Sequence, residues 1–159
     1  MTATVVEDIV QIGLVVRDAA ATALQYRKLL GVQDWYLNEV DTDRGKGRQF
    51  HHRGQAIKAK ALIAWARVGN VELELIEPRD EDSAYAVFLR DKGPGIHHVM
   101  FGCADYEACG RRLTEQGVAE LAGGELQQTR FKLFDARDSL GIICEIAAGG
   151  ELLPDSKLA

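Results

Sequence analysis

A chain of 159 residues with 47% hydrophobic content can bury a real core, as one compact unit or two small fused modules. Its formal net charge of -5 and pI near 5.4 argue against nucleic acid as a partner, and no block of Lys and Arg suggests a membrane surface. The apolar runs fall far short of the roughly 20 residues a membrane helix needs. The N-terminal stretch Met1 to Asp8 lacks the basic flank and apolar core of a secretory signal. Cys103, Cys109 and Cys144 form no Cys-x-x-Cys motif, and their odd number suits reduced thiols, so the expected location is the cytoplasm.

Ile9 to Val16 reads as an apolar strand with Gln11 in its middle. Arg17-Asp18 ends it, and Ala19 to Leu30 then has helical spacing, with Ala23, Tyr26, Leu29 and Leu30 on one stripe. Gly31 stops that helix, as a residue free to adopt positive φ does. Trp35 to Val40, Ile57 to Arg67 and Val71 to Ile76 read as strands, the last two joined through Gly69-Asn70. Asp41 to Gln55 reads as a polar loop carrying Arg44, Lys46, Arg48, His51, His52 and Arg53. Pro78 to Asp82 is a charged connector, and Ser83 to Asp91 a short helix capped by Asp82 or Ser83.

The second half repeats the first. His98 to Gly102 is a strand, Asp105 a helix start, Cys109 to Leu113 an apolar stripe and Gly117 a stop. Gln11 corresponds to His98 and Asp18 to Asp105 at an offset of 87, and Gly31 to Gly117 at 86. So long a match marks a duplicated strand-helix unit. Three strands follow again, at Glu120 to Leu126, Phe131 to Phe134 and Ile142 to Ala147, so each half is β-α-β-β-β. The expected organisation is one domain over 1–159, built from modules at 8–78 and 93–148.

Four polar residues interrupt this apolar frame. Gly93-Pro94-Gly95 releases the chain into a strand holding His97 and His98, whose side chains point to opposite faces. One belongs against a packed layer, and the other lines whatever the opposite face encloses. Val71-Glu-Leu-Glu-Leu-Ile alternates, placing Glu72 and Glu74 on one face. Glu145 stands alone among Ile142, Ile143, Cys144 and Ile146, either facing water or buried with a partner, since an unpartnered buried carboxylate costs several kcal/mol. Gln11 and His98 hold equivalent places in the two first strands, as do Glu74 and Glu145 in the two last. Modules facing each other across a pseudo-twofold bring all four inward. Two carboxylates, one imidazole and one amide carbonyl suit a divalent cation with positions left open for water or substrate.

These residues also carry a resemblance. GNVELELIEP (69–78), GPGIHHVMF (93–101) and LGIICEI (140–146) resemble the methylmalonyl-CoA epimerases of the vicinal oxygen chelate, or glyoxalase-like, superfamily. The resemblance spans about residues 8 to 148. It implies an α+β fold in which two fused βαβββ modules form an open, barrel-like mixed sheet around a central cleft. It also implies one divalent metal ion per chain (Co, Ni, Zn, Mn, Fe or Mg) on Gln11, Glu74, His98 and Glu145. Those epimerases usually carry histidine on the first strand. The Gln/Glu/His/Glu set instead resembles eukaryotic-type glyoxalase I, and Gln11 disfavours the iron dioxygenases of the superfamily.

The implied activity is epimerisation or isomerisation next to a ketone or thioester carbonyl, with Glu145 as base and Glu74 as its opposite-face partner. A glyoxalase I-type lyase acting on a hemithioacetal is the alternative, and a metal-free small-molecule-binding module a third. Arg44, Arg48 and Arg53 are candidates for gripping the anionic tail of an acyl-CoA or other thioester. Proteins resembling this one are commonly homodimers.

Overall fold

The computed structural model describes residues 5–159. The chain runs β1 (Val6–Val15), α1 (Ala19–Leu30), β2 (Tyr36–Asp41), β3 (Arg48–His52), β4 (Gln55–Ala56), β5 (Lys60–Val68), β6 (Val71–Pro78) and α2 (Ala84–Lys92). It continues with β7 (Gly95–Cys103), α3 (Tyr106–Glu115), β8 (Ala119–Leu126), β9 (Thr129–Ala136), α4 (Arg137–Leu140), β10 (Ile142–Ala148) and β11 (Ser156–Lys157). The strands form one mixed, curled sheet in the order β11-β2-β5-β6-β1-β7-β10-β9-β8-β3-β4. Read outward from the β1–β7 seam, the two sides mirror each other: β6, β5, β2 on one and β10, β9, β8 on the other. The fold is the α+β half-barrel the sequence predicts. No helix among the described residues is long and apolar enough to cross a membrane.

Both long helices start where the sequence marks them. Asp18 accepts a hydrogen bond from the amide of Ala21, and Asp105 from that of Ala108, each replacing a partner the first helical turn lacks. Gly31 ends α1 at φ 72, a left-handed conformation that an added Cβ would strain. Strand alternation then sorts the side chains. On β5 and β6, Ala64, Ala66 and Leu75 pack outward with Ala19, Ala23 and Trp35, while Ile63, Trp65, Glu74 and Ile76 face inward. On β10, Cys144 and Ile146 pack with Cys109 and Tyr106 of α3, leaving Glu145 and Ala147 to face inward.

The 41–55 stretch departs from its reading as a loop. After a 3-10 turn over Thr42–Arg44, β3 crosses to the other half and pairs antiparallel with β8, His51 opposite Gly123 and His52 opposite Ala122. Phe50 is the physical reason. This lone aromatic in a polar run is buried with Val40, Ile63, Ile76 and Leu126, edge-on to Phe131 at 5.6 Å. The chain after β10 holds a further element that the strand pattern did not reveal. Leu153 is bonded to Asn38 and Gln127, and β11 pairs with β2, so this segment straps the first half to the β8–β9 turn.

The outward core gives a direct stability test. Leu75 is fully buried, whereas Leu29 on α1 is 72% exposed. Leu75→Ala is expected to cost roughly 2–5 kcal/mol in urea unfolding, and Leu29→Ala no more than about 0.5 kcal/mol.

Candidate active site

The curled sheet encloses a cavity of about 590 Å³ whose walls come from both halves. Val40, Phe50, Ala61, Ile63, Leu126 and Phe131 make one side apolar. Gln11, Glu72, Glu74 and Glu145 also line it, with Met100 between the β1 and β10 residues. Backbone register brings these residues together. Gln11 lies beside Glu72 in the parallel β1–β6 pair and opposite Met100 across the antiparallel seam, and Glu145 lies beside Met100 in the parallel β7–β10 pair.

The four residues proposed as ligands meet at one nitrogen. His98 Nε2 is 2.7 Å from Glu145 Oε2, 3.0 Å from Gln11 Oε1 and 3.7 Å from Glu74 Oε1. The Gln11 amide is turned so that its NH₂ donates to Glu72 Oε1 at 2.7 Å and to Glu74 Oε2 at 3.3 Å, which aims its oxygen at the imidazole. On the far side of the ring, His98 Nδ1 lies 3.0 Å from His97 Nδ1. His97 is buried beneath α2, its ring 5.0 Å from those of both Tyr85 and Phe88. Burial, the neighbouring His98 ring and Arg137 push its pKa down to about 2, so it is neutral.

The donor set fits a cation. Three acceptor oxygens converge on His98 Nε2, and a single N–H there satisfies only one of them. Glu145 Oε2 is buried and accepts no hydrogen bond from any described residue, although the ring stands within ion-pair distance. Burial lifts Glu74 well above its usual range, with the charges of Glu145 and Glu72 adding to the effect, and burial lifts Glu72 as well. Excess negative charge and an orphaned carboxylate oxygen are what a divalent ion would relieve. Among the described residues no three His, Cys, Asp or Glu side chains already form a cation cage. The polar ends are drawn onto one another instead.

The candidate arginines do not join this site. Arg44 pairs with Glu39 at 3.2 Å, Arg48 pairs with Glu125, and the Arg53 amide donates to Leu121 O in the turn after β3. Of the nearby histidines, His51 contacts Glu120 and His52 the carbonyl of Asp82. The cavity is lined instead by Arg67, which is exposed on β5 and makes no ion pair among the described residues. Sequence reading missed it, and the inward alternation from Ile63 through Trp65 to Arg67 is the signal that could have found it. Tyr85 also faces the cavity, and only the tertiary placement of α2 shows this.

Residues 10–132 match the Glyoxalase/Bleomycin resistance protein/Dioxygenase superfamily. The chain belongs to this superfamily. Within it, the chain is 42% identical over 103 residues, 63% of its length and 74% of the relative's, to the uncharacterised protein YqjC of Bacillus subtilis. It is 30% identical over 116 residues, 72% of its length and 74% of the relative's, to an ethylmalonyl-CoA/methylmalonyl-CoA epimerase of Cereibacter sphaeroides. Among solved structures, a methylmalonyl-CoA epimerase of Streptomyces coelicolor in complex with 2-nitronate-propionyl-CoA superposes with a TM-score of 0.68 at 24% identity, covering 92% of this chain and 99% of that one. One from Mycobacterium tuberculosis gives 0.67 at 22%, covering 95% and 93%. The fold is therefore shared with these structures over more than nine-tenths of the chain.

Two tests follow from the geometry. A Cβ on Gly13 would stand 2.0 Å from His98 Cε1, so Gly13→Ala is expected to expel the ring and abolish divalent-ion binding while circular dichroism shows the fold intact. The second test concerns Glu74. A carboxylate whose pKa is raised on folding contributes stability below its unfolded value and loses it as pH rises through the folded one. In chelator-treated protein, Glu74→Gln is thus expected to raise the thermal midpoint at neutral pH, with the advantage vanishing as pH falls into the ordinary carboxylate range.

Proposed function

We propose that the protein is a divalent-metal-dependent epimerase or isomerase that removes the proton alpha to a carbonyl or thioester, acting on an acyl-CoA or similar thioester. The observation that carries this reading is the convergence of Gln11, Glu74, His98 and Glu145 at the polar end of an otherwise apolar cavity. Likeness to an ethylmalonyl-CoA/methylmalonyl-CoA epimerase supports the substrate class.

Gln11, Glu74, His98 and Glu145 would hold the ion, which when bound supplies Lewis-acid stabilisation to an enolate or enediolate oxygen. The residues do the rest. Glu145, with one buried oxygen committed to no hydrogen bond, takes the carbon-bound proton, and Glu74 is the second carboxylate within reach of the same locus. Glu72 and His97 fix the orientation of Gln11 and His98 from behind. The apolar wall excludes water and offers no competing base. Arg67 at the cavity lining, rather than Arg44, Arg48 or Arg53, is the cation assigned to an anionic part of the substrate. A cytoplasmic homodimer accompanies this reading.

The donor set itself favours a second reading. Gln/Glu/His/Glu is the glyoxalase I-like combination, and a hemithioacetal would present two adjacent oxygens to the ion. Turnover of a hemithioacetal without solvent exchange into any acyl thioester would select the lyase.

The deciding experiment measures deuterium exchange from solvent into a panel of acyl thioesters by the metal-loaded protein. Glu145→Gln keeps an oxygen ligand but removes the base, so it is expected to retain bound metal while exchange falls by roughly 10²-fold or more. Metal-bound Glu145→Gln exchanging at the wild-type rate would remove the assigned base. Glu74→Gln separates the mechanisms: a two-base epimerase loses activity with it, whereas a one-base isomerase is much less affected.

A further inference from the structure

The first turn of α2 places an unspent hydrogen-bond donor in the cavity. Ser83 caps this helix by accepting from the amide of Ala86, which fixes the direction in which the next residues leave the connector. Tyr85 consequently turns inward. Its ring stands 5.0 Å from that of His97 and 6.4 Å from that of His98, and it packs between the Phe50 and Leu133 apolar clusters. A phenol held in this way has little rotational freedom.

Its hydroxyl is open to the cavity: among the described residues, the side-chain polar atom that is both buried and without a hydrogen bond is Glu145 Oε2. Tyr85 lines the cavity, yet its hydroxyl makes no hydrogen bond to any described residue. Gln11 is committed to two carboxylates and His98, and Ser83 to its helix. Burial together with the charges of Glu145 and Glu74 holds the phenol in its protonated, donating form. The ring distances to His97 and His98 place Tyr85 at the histidine end of the cavity, which Glu74 and Glu145 also line.

We infer that Tyr85 is a catalytic residue whose hydroxyl donates a hydrogen bond to the substrate oxygen on which negative charge builds during proton removal. The inference rests on the proton-abstracting reading of the site. Beside the stabilisation a bound ion would supply, it adds a neutral donor to side chains that otherwise present only carboxylates, an amide oxygen and one imidazole. A preorganised donor aimed at a forming oxyanion contributes more in the transition state than in the ground state, because the oxygen carries more charge there.

The test compares metal-loaded wild type with Tyr85→Phe, which keeps the ring and its contacts with His97. A planar anionic analogue, 2-nitronate-propionyl-CoA, and propionyl-CoA, which lacks the nitronate group, serve as calorimetric probes. The variant is expected to keep its melting temperature, its metal content and its affinity for propionyl-CoA, while affinity for the nitronate falls on the order of 10²-fold, the scale seen for loss of one oxyanion donor. Where the wild type exchanges alpha protons, kcat for exchange is expected to fall by a similar factor with KM little changed. Weaker nitronate binding by Tyr85→Phe, alongside a wild type that catalyses no exchange, would support the donor and sink the epimerase reading. Equal affinity of the two proteins for the nitronate, including no affinity in either, overturns the role of Tyr85. Should Tyr85→Phe melt early, Tyr85→Leu tests packing alone, and equal nitronate losses in proportion to melting temperature would also overturn it.

Discussion

Everything in the cavity depends on the antiparallel pairing of β1 with β7. It is the seam where the two halves join, and no other contact places Gln11 within 3.0 Å of His98. The seam also requires a gap at Gly13, opposite His98, because any larger residue would occupy the space of the imidazole ring. Parallel pairing on either side then carries one acid to each flank, Glu74 beside Gly13 and Glu145 beside Met100. Four polar side chains thus meet because four strands share a register. A slip of one residue at the seam would turn Gln11 and His98 onto opposite faces and dissolve the site.

The opposite side of the cavity is built by different means. There the half-barrel is narrowed by β3, which leaves its own half to pair with β8, and by the strap that links Asn38 to Gln127 through Leu153. Phe50, Phe131, Leu126 and Leu152 fill this side with apolar surface. The result is a chamber with chemistry at one end and packing at the other. Burial displaces Glu72 and Glu74 upward at the polar end, and the neighbouring carboxylates add to the displacement. Marginal electrostatics at a site, supported by a well-packed frame, is the usual relation between an active centre and its fold.

Much of this was legible in the residues. The offset linking Gln11 to His98 gave the duplication, Asp18, Gly31, Asp105 and Gly117 gave the helix limits, and alternation put Glu72 and Glu74 on one face. These signals are local, and backbone sterics or side-chain spacing carries them. What escaped was non-local. Nothing in Arg48 to His52 says that its partner is β8, a strand some 70 residues later, and the polar run hid the one residue, Phe50, that drives the pairing. The same holds for the strap and for Arg44 and Arg48, whose charges the fold commits to Glu39 and Glu125. Tyr85 looked like any helix residue until α2 was set against His97.

The point at which the duplicated halves differ bears on how Gln11 would serve as a ligand in the proposed site. Glu72 lies beside Gln11, and the residue in the corresponding place beside His98 is Ile143. An amide presents oxygen or NH₂ with nearly equal ease, so a glutamine ligand needs an acceptor behind it to decide which faces the ion. Glu72 is that acceptor, at 2.7 Å from the Gln11 nitrogen. Imidazole has no such ambiguity of element, and its outer nitrogen needs one small polar partner, which His97 provides from the opposite direction. The second carboxylate in Val71-Glu-Leu-Glu therefore belongs to the amide and has no counterpart on the histidine side. Symmetry is kept where the two halves share a frame and lost where their proposed ligands differ.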